Sequence, residues 1–240
     1  CEHIWAQGYS EPNAGSDLAS LRTEARIEGD AFVITGQKIW TTLAQDATHM
    51  FVLARTDKQA KKQAGISFIL VDLTSPGVRV RPIRDLAGHE EFNEVFFDHV
   101  RVPIDHLVGP LNAGWDVAKA LLGFERIHIG SPKLPQYALG ILAKLAELRG
   151  CHTDPVFKAR FNALRMDIED HCDIYARFVE IVKRGEPLPP EVSILKILAT
   201  ETFQRAADLI LETAGPAAQL HGSVPIGDGL IDLLGPFYKA

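Results

Sequence analysis

The sequence predicts an α+β chain in two parts, a β-domain of barrel or sandwich type followed by a helical bundle. Two observations predict it. Up to Val102, short apolar runs alternate with turn signals, the pattern of many short strands. After Gly109 the apolar spacing becomes helical and the punctuation turns to caps and prolines. The change divides the chain near residues 108–113, into a β-domain over 1–110 and a bundle over 111–240.

Taken in order, Ala25 to Ile27, Gly29-Asp30 and Ala31 to Thr35 read as a hairpin, with Phe32 and Ile34 on one face. Met50 to Ala54 and Ile66 to Val71 are short strands separated by a lysine-rich link, Lys58 to Gln63, that reads as a solvated loop. Val78 to Pro82 follows the turn Ser75-Pro76-Gly77. Asn93 to Val102 is a strand that Pro103 stops. Trp115 to Phe124 and Tyr137 to Leu148 have helical spacing, and Gly130, Pro132 and Pro135 mark a break between them. Asp154-Pro155 caps a long helix that runs to Lys183 and ends at Gly185. Pro190 opens another that Gly215-Pro216 closes after Ala214. No internal repeat or low-complexity segment interrupts this order.

Composition narrows the partners. With 240 residues, 46% of them hydrophobic and 23% charged, the chain is an ordinary globular one, long enough for a full core. Its net charge of -6, without a lysine or arginine block, leaves no electrostatic footprint for nucleic acid or an anionic membrane. No apolar run approaches a membrane span. The cysteines, Cys1, Cys151 and Cys172, are odd in number and lack CxxC spacing, so neither a disulfide framework nor a structural zinc is indicated. The histidines lack metal-site spacing, and no metal is expected. A reducing compartment fits, a bacterial cytoplasm before a mitochondrial matrix.

Two runs carry the chemistry. Gln7 to Asp17 holds two glycines, a proline, an asparagine and two serines in eleven residues, which suits backbone amides that approach a ligand closely. Gly36 to Thr42, also loop-like, sets Trp40 beside Thr41 and Thr42 at a strand edge, an aromatic face with two hydroxyls for a flat, polar heterocycle. A binding loop within the first ten residues makes the chain read as a piece of a longer protein.

With Tyr9-Ser10-Glu11-Pro12-Asn13-Ala14-Gly15-Ser16-Asp17, Gly36 to Thr42, Pro76-Gly77, Phe92 to Phe97, Val102-Pro103, Gly114-Trp115 and Glu125-Arg126 in this order, the sequence resembles the acyl-CoA dehydrogenase family. The likeness implies a middle β-barrel and an antiparallel C-terminal bundle, with the family's N-terminal helical domain and C-terminal tail outside these residues. It implies an FAD enzyme that takes the α proton and a β hydride from an acyl-CoA thioester and leaves the trans-2-enoyl-CoA. By position, Gln7, Tyr9, Ser10, Gly15 and Ser16 would line the flavin, with Ser16 also near the acyl-CoA. Trp40 would pack on the ring, with Thr41 and Thr42 at its edge. Glu125 would be the base, as in one part of the family, the alternative being a glutamate in the C-terminal segment outside these residues, and Arg126 would position the substrate. As plain helix neighbours, these two would be an ion pair or separate surface charges. Electron-transfer flavoprotein is the implied acceptor; an acyl-CoA oxidase would instead pass electrons to oxygen.

Two departures from the family pattern stand out. Arg149 to Phe157 lacks the Arg-x-x-Phe-Gly element that reaches a partner's FAD, and Glu212 stands where relatives place a glutamine near a partner's pyrophosphate. They imply a heteromer with a second subunit of this family, of the type acting on steroid side chains or other bulky acyl-CoAs, as an alternative to a homo-oligomer. A non-catalytic or half-site subunit is the corresponding alternative function.

Overall fold

Gly29-Asp30 folds β2 (Glu24–Glu28) onto β3 (Ala31–Thr42) in antiparallel register, Ala25 opposite Ile34 and Glu28 opposite Ala31. Gly29 sits at φ 68, a left-handed conformation that glycine adopts without cost to a side chain. Phe32 and Ile34 point to one face and are fully buried, as their spacing predicts.

The computed structural model describes residues 2–86, 88–220, 222–226 and 229–232. By its contacts the chain forms two units, Cys1–Leu121 and Leu122–Ala240, with the division inside α1 (Gly114–Ile129).

In the first unit, β1 (Trp5–Gly8), β4 (His49–Arg55), β5 (Ile66–Asp72), β6 (Val78–Ile83), β7 (Phe92–Pro103) and β8 (Leu107–Val108) complete an eight-stranded sheet with the hairpin. Its order is β6-β7-β3-β2-β4-β5-β8, with β1 added at β4. Phe32, Met50, Val52, Ile69, Val71, Val95 and Val100 form its core. Burial of each such side chain contributes roughly 1.5–3 kcal/mol.

One edge of β4 is shared. β1 runs parallel to its start, Gly8 opposite Val52, and β2 joins the same edge at Glu24 opposite Arg55. Residues 9–23 therefore leave the sheet and re-enter it beside the same strand.

The sequence reading of Gly36 to Thr42 as a loop needs correction: this run is the far half of β3, paired with β7 from Gly36 opposite Phe97 to Thr42 opposite Phe92. The ladder supplied by β7 overrides a composition rich in glycine and hydroxyl residues. Gln7 and Gly8 likewise belong to a strand, β1, and not to the loop that follows. Gly36 is required where β3 parts from β2, because a Cβ there would lie 2.6 Å from Thr23 Oγ1 and 2.7 Å from Thr23 Cα.

The second unit is a helical bundle of α2 (Lys133–Leu148), α3 (Pro155–Lys183) and α4 (Ser193–Ala214). The Asp154 carboxylate accepts from the backbone N–H groups of Val156 (2.7 Å) and Phe157 (3.0 Å), and Pro155 fills the first helical position. Leu142, Leu145, Leu164, Phe203, Ala206 and Ile210 make the core. Gly215, at φ 60, ends α4. Beyond the reach of the sequence reading, β9 (Ser223–Ile226) and β10 (Gly229–Asp232) pair as an antiparallel hairpin. Among the described residues no helix is long and apolar enough to cross a membrane.

Candidate functional site

The 9–17 loop is fastened to β3 at the point where β2 has ended. Ser10 C=O accepts the Ile39 N–H at 2.9 Å, and Glu11 and Ala14 exchange backbone bonds of 2.9 and 3.0 Å. Beneath them lies Lys38, with no exposed surface. Its Nζ donates to the Tyr9 carbonyl at 3.1 Å and to Glu11 Oε1 at 2.8 Å. Glu11 also accepts the N–H groups of Arg22 (2.6 Å) and Thr23 (2.9 Å).

Burial pushes the Lys38 ammonium down to about 8, against the pull of Glu11. For Glu11 burial works toward a higher value, but the Lys38 charge and the hydrogen bonds from Lys38, Thr23 and Arg22 together hold the carboxyl below its ordinary value. Both groups are thus charged at neutral pH. One buried carboxylate ties three segments, the loop, the start of β2 and the far half of β3.

Two residues beyond Lys38 the strand bulges. Lys38 pairs with Val95 and Thr41 with Asn93, so Ile39 and Trp40 together face Glu94 alone. Trp40 takes φ 60, a left-handed conformation uncommon for a bulky side chain. Its ring is 58% exposed and meets Phe92 edge-on at 6.1 Å. Asn93 Nδ2 donates to the Thr41 carbonyl at 3.1 Å and to Gln45 Oε1 at 2.5 Å, and Leu43 N–H donates to the Glu91 carbonyl at 2.7 Å. These bonds fix the strand end that carries the tryptophan.

The candidate residues fall into groups. Gln7 is half-buried on β1, opposite Phe51. Tyr9 is buried, its ring edge-on to Phe51 (5.8 Å) and Phe68 (6.4 Å). Ser10 is half-buried beside Ile39, and Gly15 and Ser16 are exposed. The backbone bonds bring Tyr9 and Ser10 to the Lys38–Trp40 segment. Thr42 is exposed, whereas Thr41 turns inward, its Oγ1 buried without a hydrogen-bond partner among the described residues.

Glu125 and Arg126 lie on α1 within the second unit, Glu125 half-buried and Arg126 exposed. Burial raises the Glu125 carboxyl above its ordinary value, opposed by the positive charge of His128. Among the described residues no ion pair joins Glu125 to Arg126, as expected of side chains about 100° apart on a helix.

Sequence reasoning missed two features. Lys38 and Glu11 stand 27 positions apart in two separate runs, and neither run signals their pairing. A cavity of about 450 Å³ has a basic lining that includes Arg22, Arg55, Lys58 and Lys62. Arg55 is held by the carbonyls of Ala19 (2.7 Å) and Lys62 (2.5 Å), while Lys58 pairs with Glu24 (2.9 Å) and Lys62 with Asp17 (2.8 Å). The Lys58 to Gln63 link is solvated as its composition predicts, with Lys58 and Lys62 exposed, and it supplies two of these cations.

Comparison with known proteins gives two family matches, "Acyl-CoA dehydrogenase, middle domain" over residues 6–100 and "Acyl-CoA dehydrogenase, C-terminal domain" over residues 112–227. The chain is 48% identical over 159 residues to the acyl-CoA dehydrogenase IpdE1 of Mycobacterium tuberculosis, covering 65% of this chain and 41% of that protein. It is similar to the solved Tcur3481-Tcur3483 steroid ACAD, with a TM-score of 0.89 and 28% identity over 98% of this chain and 61% of the other. It is also similar to the ChsE4-ChsE5 complex of Mycobacterium tuberculosis, with a TM-score of 0.83 and 30% identity over 99% of this chain and 62% of the other. The chain thus spans about two fifths of IpdE1 and about three fifths of these solved chains.

Proposed function

The chain belongs to the acyl-CoA dehydrogenase family, and from that premise we propose that the protein of which it is part oxidises an acyl-CoA thioester to the trans-2-enoyl-CoA. The observation that carries this reading is Trp40, held exposed on a strained bulge beside the exposed Thr42 and next to the fastened loop. Strained backbone persists where the surroundings enforce it, and such places are enriched at ligand sites.

These residues fit FAD. Trp40 offers an open aromatic face, Ser16 and Thr42 offer exposed hydroxyls, and Thr41 holds a buried hydroxyl with no partner among the described residues. Bound there, FAD supplies the acceptor for the β hydride. Gln7 would hold it from β1, Tyr9, Ser10, Gly15 and Ser16 from the loop, and Trp40, Thr41 and Thr42 from β3. Donors at a ring's polar edge stabilise negative charge that develops there.

Glu125 takes the α proton onto its carboxylate. Desolvation makes that carboxylate a stronger base than one in water. Arg126 positions the thioester substrate, and Ser16 also contacts it. The basic cavity at Arg22, Arg55, Lys58 and Lys62 receives the phosphates of coenzyme A, which meet cations locally although the chain is acidic overall.

A second subunit is the accompanying proposal. Glu212, a carboxylate paired with Arg160 at 2.8 Å, stands where relatives offer a partner's pyrophosphate a neutral amide. Together with the missing Arg-x-x-Phe-Gly element, this favours a heteromer in which another family member completes the sites, and a bulky acyl group of the kind named for the steroid ACAD relative. Electron-transfer flavoprotein is the proposed acceptor and the cytoplasm the proposed location.

The test is the visible spectrum of the intact protein, taken anaerobically before and after a panel of acyl-CoAs. Flavin bands that bleach with one substrate support dehydrogenation and name the acyl class. Rapid return of the bands in air would mark an oxidase instead. A uniform homo-oligomer with one FAD per subunit would sink the heteromer.

A further inference from the structure

We propose that Lys38 and Glu11 are positioning residues for the cofactor, a buried latch that sets the direction of the Tyr9–Ser10 peptide. The proposal rests on the reading that the 9–16 loop and Trp40 hold FAD, and it adds two residues that touch no ligand themselves.

The geometry is specific. Lys38 Nζ draws the Tyr9 carbonyl inward at 3.1 Å. A trans peptide sets its C=O and N–H on opposite sides, so the Ser10 N–H is turned away from the buried ammonium. The next peptide is fixed at both ends, Ser10 C=O taking the Ile39 N–H and Glu11 N–H reaching the Ala14 carbonyl. Lys38 thus turns one donor of this backbone, the Ser10 N–H, away from the interior. Two residues further along β3 the bulge presents Trp40, so the same strand segment carries the latch and the aromatic face.

Stability alone gives little reason for this pair. Replacing a buried ion pair by apolar or neutral groups of like shape is often neutral for folding, whereas removal of one partner leaves a buried charge. Glu11 also accepts the Arg22 N–H on Oε2 and the Thr23 N–H on Oε1, of which the single carbonyl oxygen of a glutamine keeps one.

The test uses the whole protein and the double variant Lys38→Met/Glu11→Gln, with Lys38→Met alone, in which Glu11 keeps the N–H groups of Arg22 and Thr23, as the second variant should the double variant not fold. Three quantities are read: the apoprotein melting transition, the FAD dissociation constant, and the visible band with its reduction potential. The latch requires a retained melting transition with about tenfold weaker FAD binding and a displaced band or potential. A displacement in the same direction is expected for Lys38→Met. Unchanged FAD affinity, band and potential in whichever variant folds would make the pair purely structural and overturn the proposal. Wild-type protein that binds no FAD would instead overturn the flavin reading on which the latch depends.

Discussion

Lys38 and Thr41 stand three residues apart on β3 and both point into the interior. In an unbroken strand two such positions would face opposite sides, and the Ile39–Trp40 bulge is what returns them to the same one. It also leaves Trp40 outside in a left-handed backbone.

Trp40→Gly should leave apoprotein stability within about 1 kcal/mol, since relief of left-handed strain offsets the flexibility of glycine and the lost contact with Phe92. Trp40→Val should cost more, because a branched side chain tolerates this conformation poorly. Urea unfolding of the two apoproteins compares them, and equal losses would mean that the bulge stores no strain. FAD affinity should fall in both.

Lys38 makes stability depend on alkaline pH. Its ammonium sits at about 8 in the fold and at 10.5 in the ordinary state, so between these values the unfolded chain holds a proton that the folded chain has released. Stability should therefore rise with pH across that window, by up to a few kcal/mol, and be flat in this respect below it. Denaturant unfolding of wild type and Lys38→Met through the window isolates the effect. A constant difference between them would show that Lys38 keeps its proton.

Glu125→Gln should lower the dehydrogenation rate by at least about a hundredfold while FAD remains bound. In wild type, kcat/KM should climb as the carboxyl loses its proton, with the acid limb above the ordinary carboxylate range because burial disfavours the charged form. Stopped-flow reduction over an acid pH series checks both. A limb at the usual carboxylate position, or full activity in the variant, would move the base elsewhere.

Arg22→Ala should raise KM for acyl-CoA about tenfold with little change in kcat, through loss of a charge-assisted contact to phosphate. The control is an acyl-pantetheine thioester without the nucleotide, whose KM should stay unchanged. Equal effects on the two substrates would place the phosphates outside the basic cavity.

The helices were legible because their ends carry local chemistry: Asp154-Pro155 opens α3 and Gly215-Pro216 closes α4 wherever the rest of the chain lies. The β2–β3 hairpin was legible for the same reason. The far half of β3 was not, since its order comes from pairing with β7, fifty or more residues away. In the candidate site, sequence pointed to Trp40 through its hydroxyl neighbours but gave no sign of the bulge that exposes it. Lys38 was hidden because a lysine beside polar residues reads as an outward charge, and only Glu11, placed by a separate turn, explains its burial. The basic cavity draws on Arg22 and on the 55–62 region, and no local pattern joins them.

The shared edge of β4 has a consequence for divergence. Residues 9–23 depart at Val52 and return at Arg55, so the excursion begins and ends within three positions of one strand. Lengthening such a closed excursion is inexpensive, about 0.6 kcal/mol for each doubling, and it shifts no strand register. Descendants of this chain can therefore lengthen or trim the segment between Pro12 and Leu21 to suit new ligands, provided that Glu11 and Lys38 still hold the root of the loop in place.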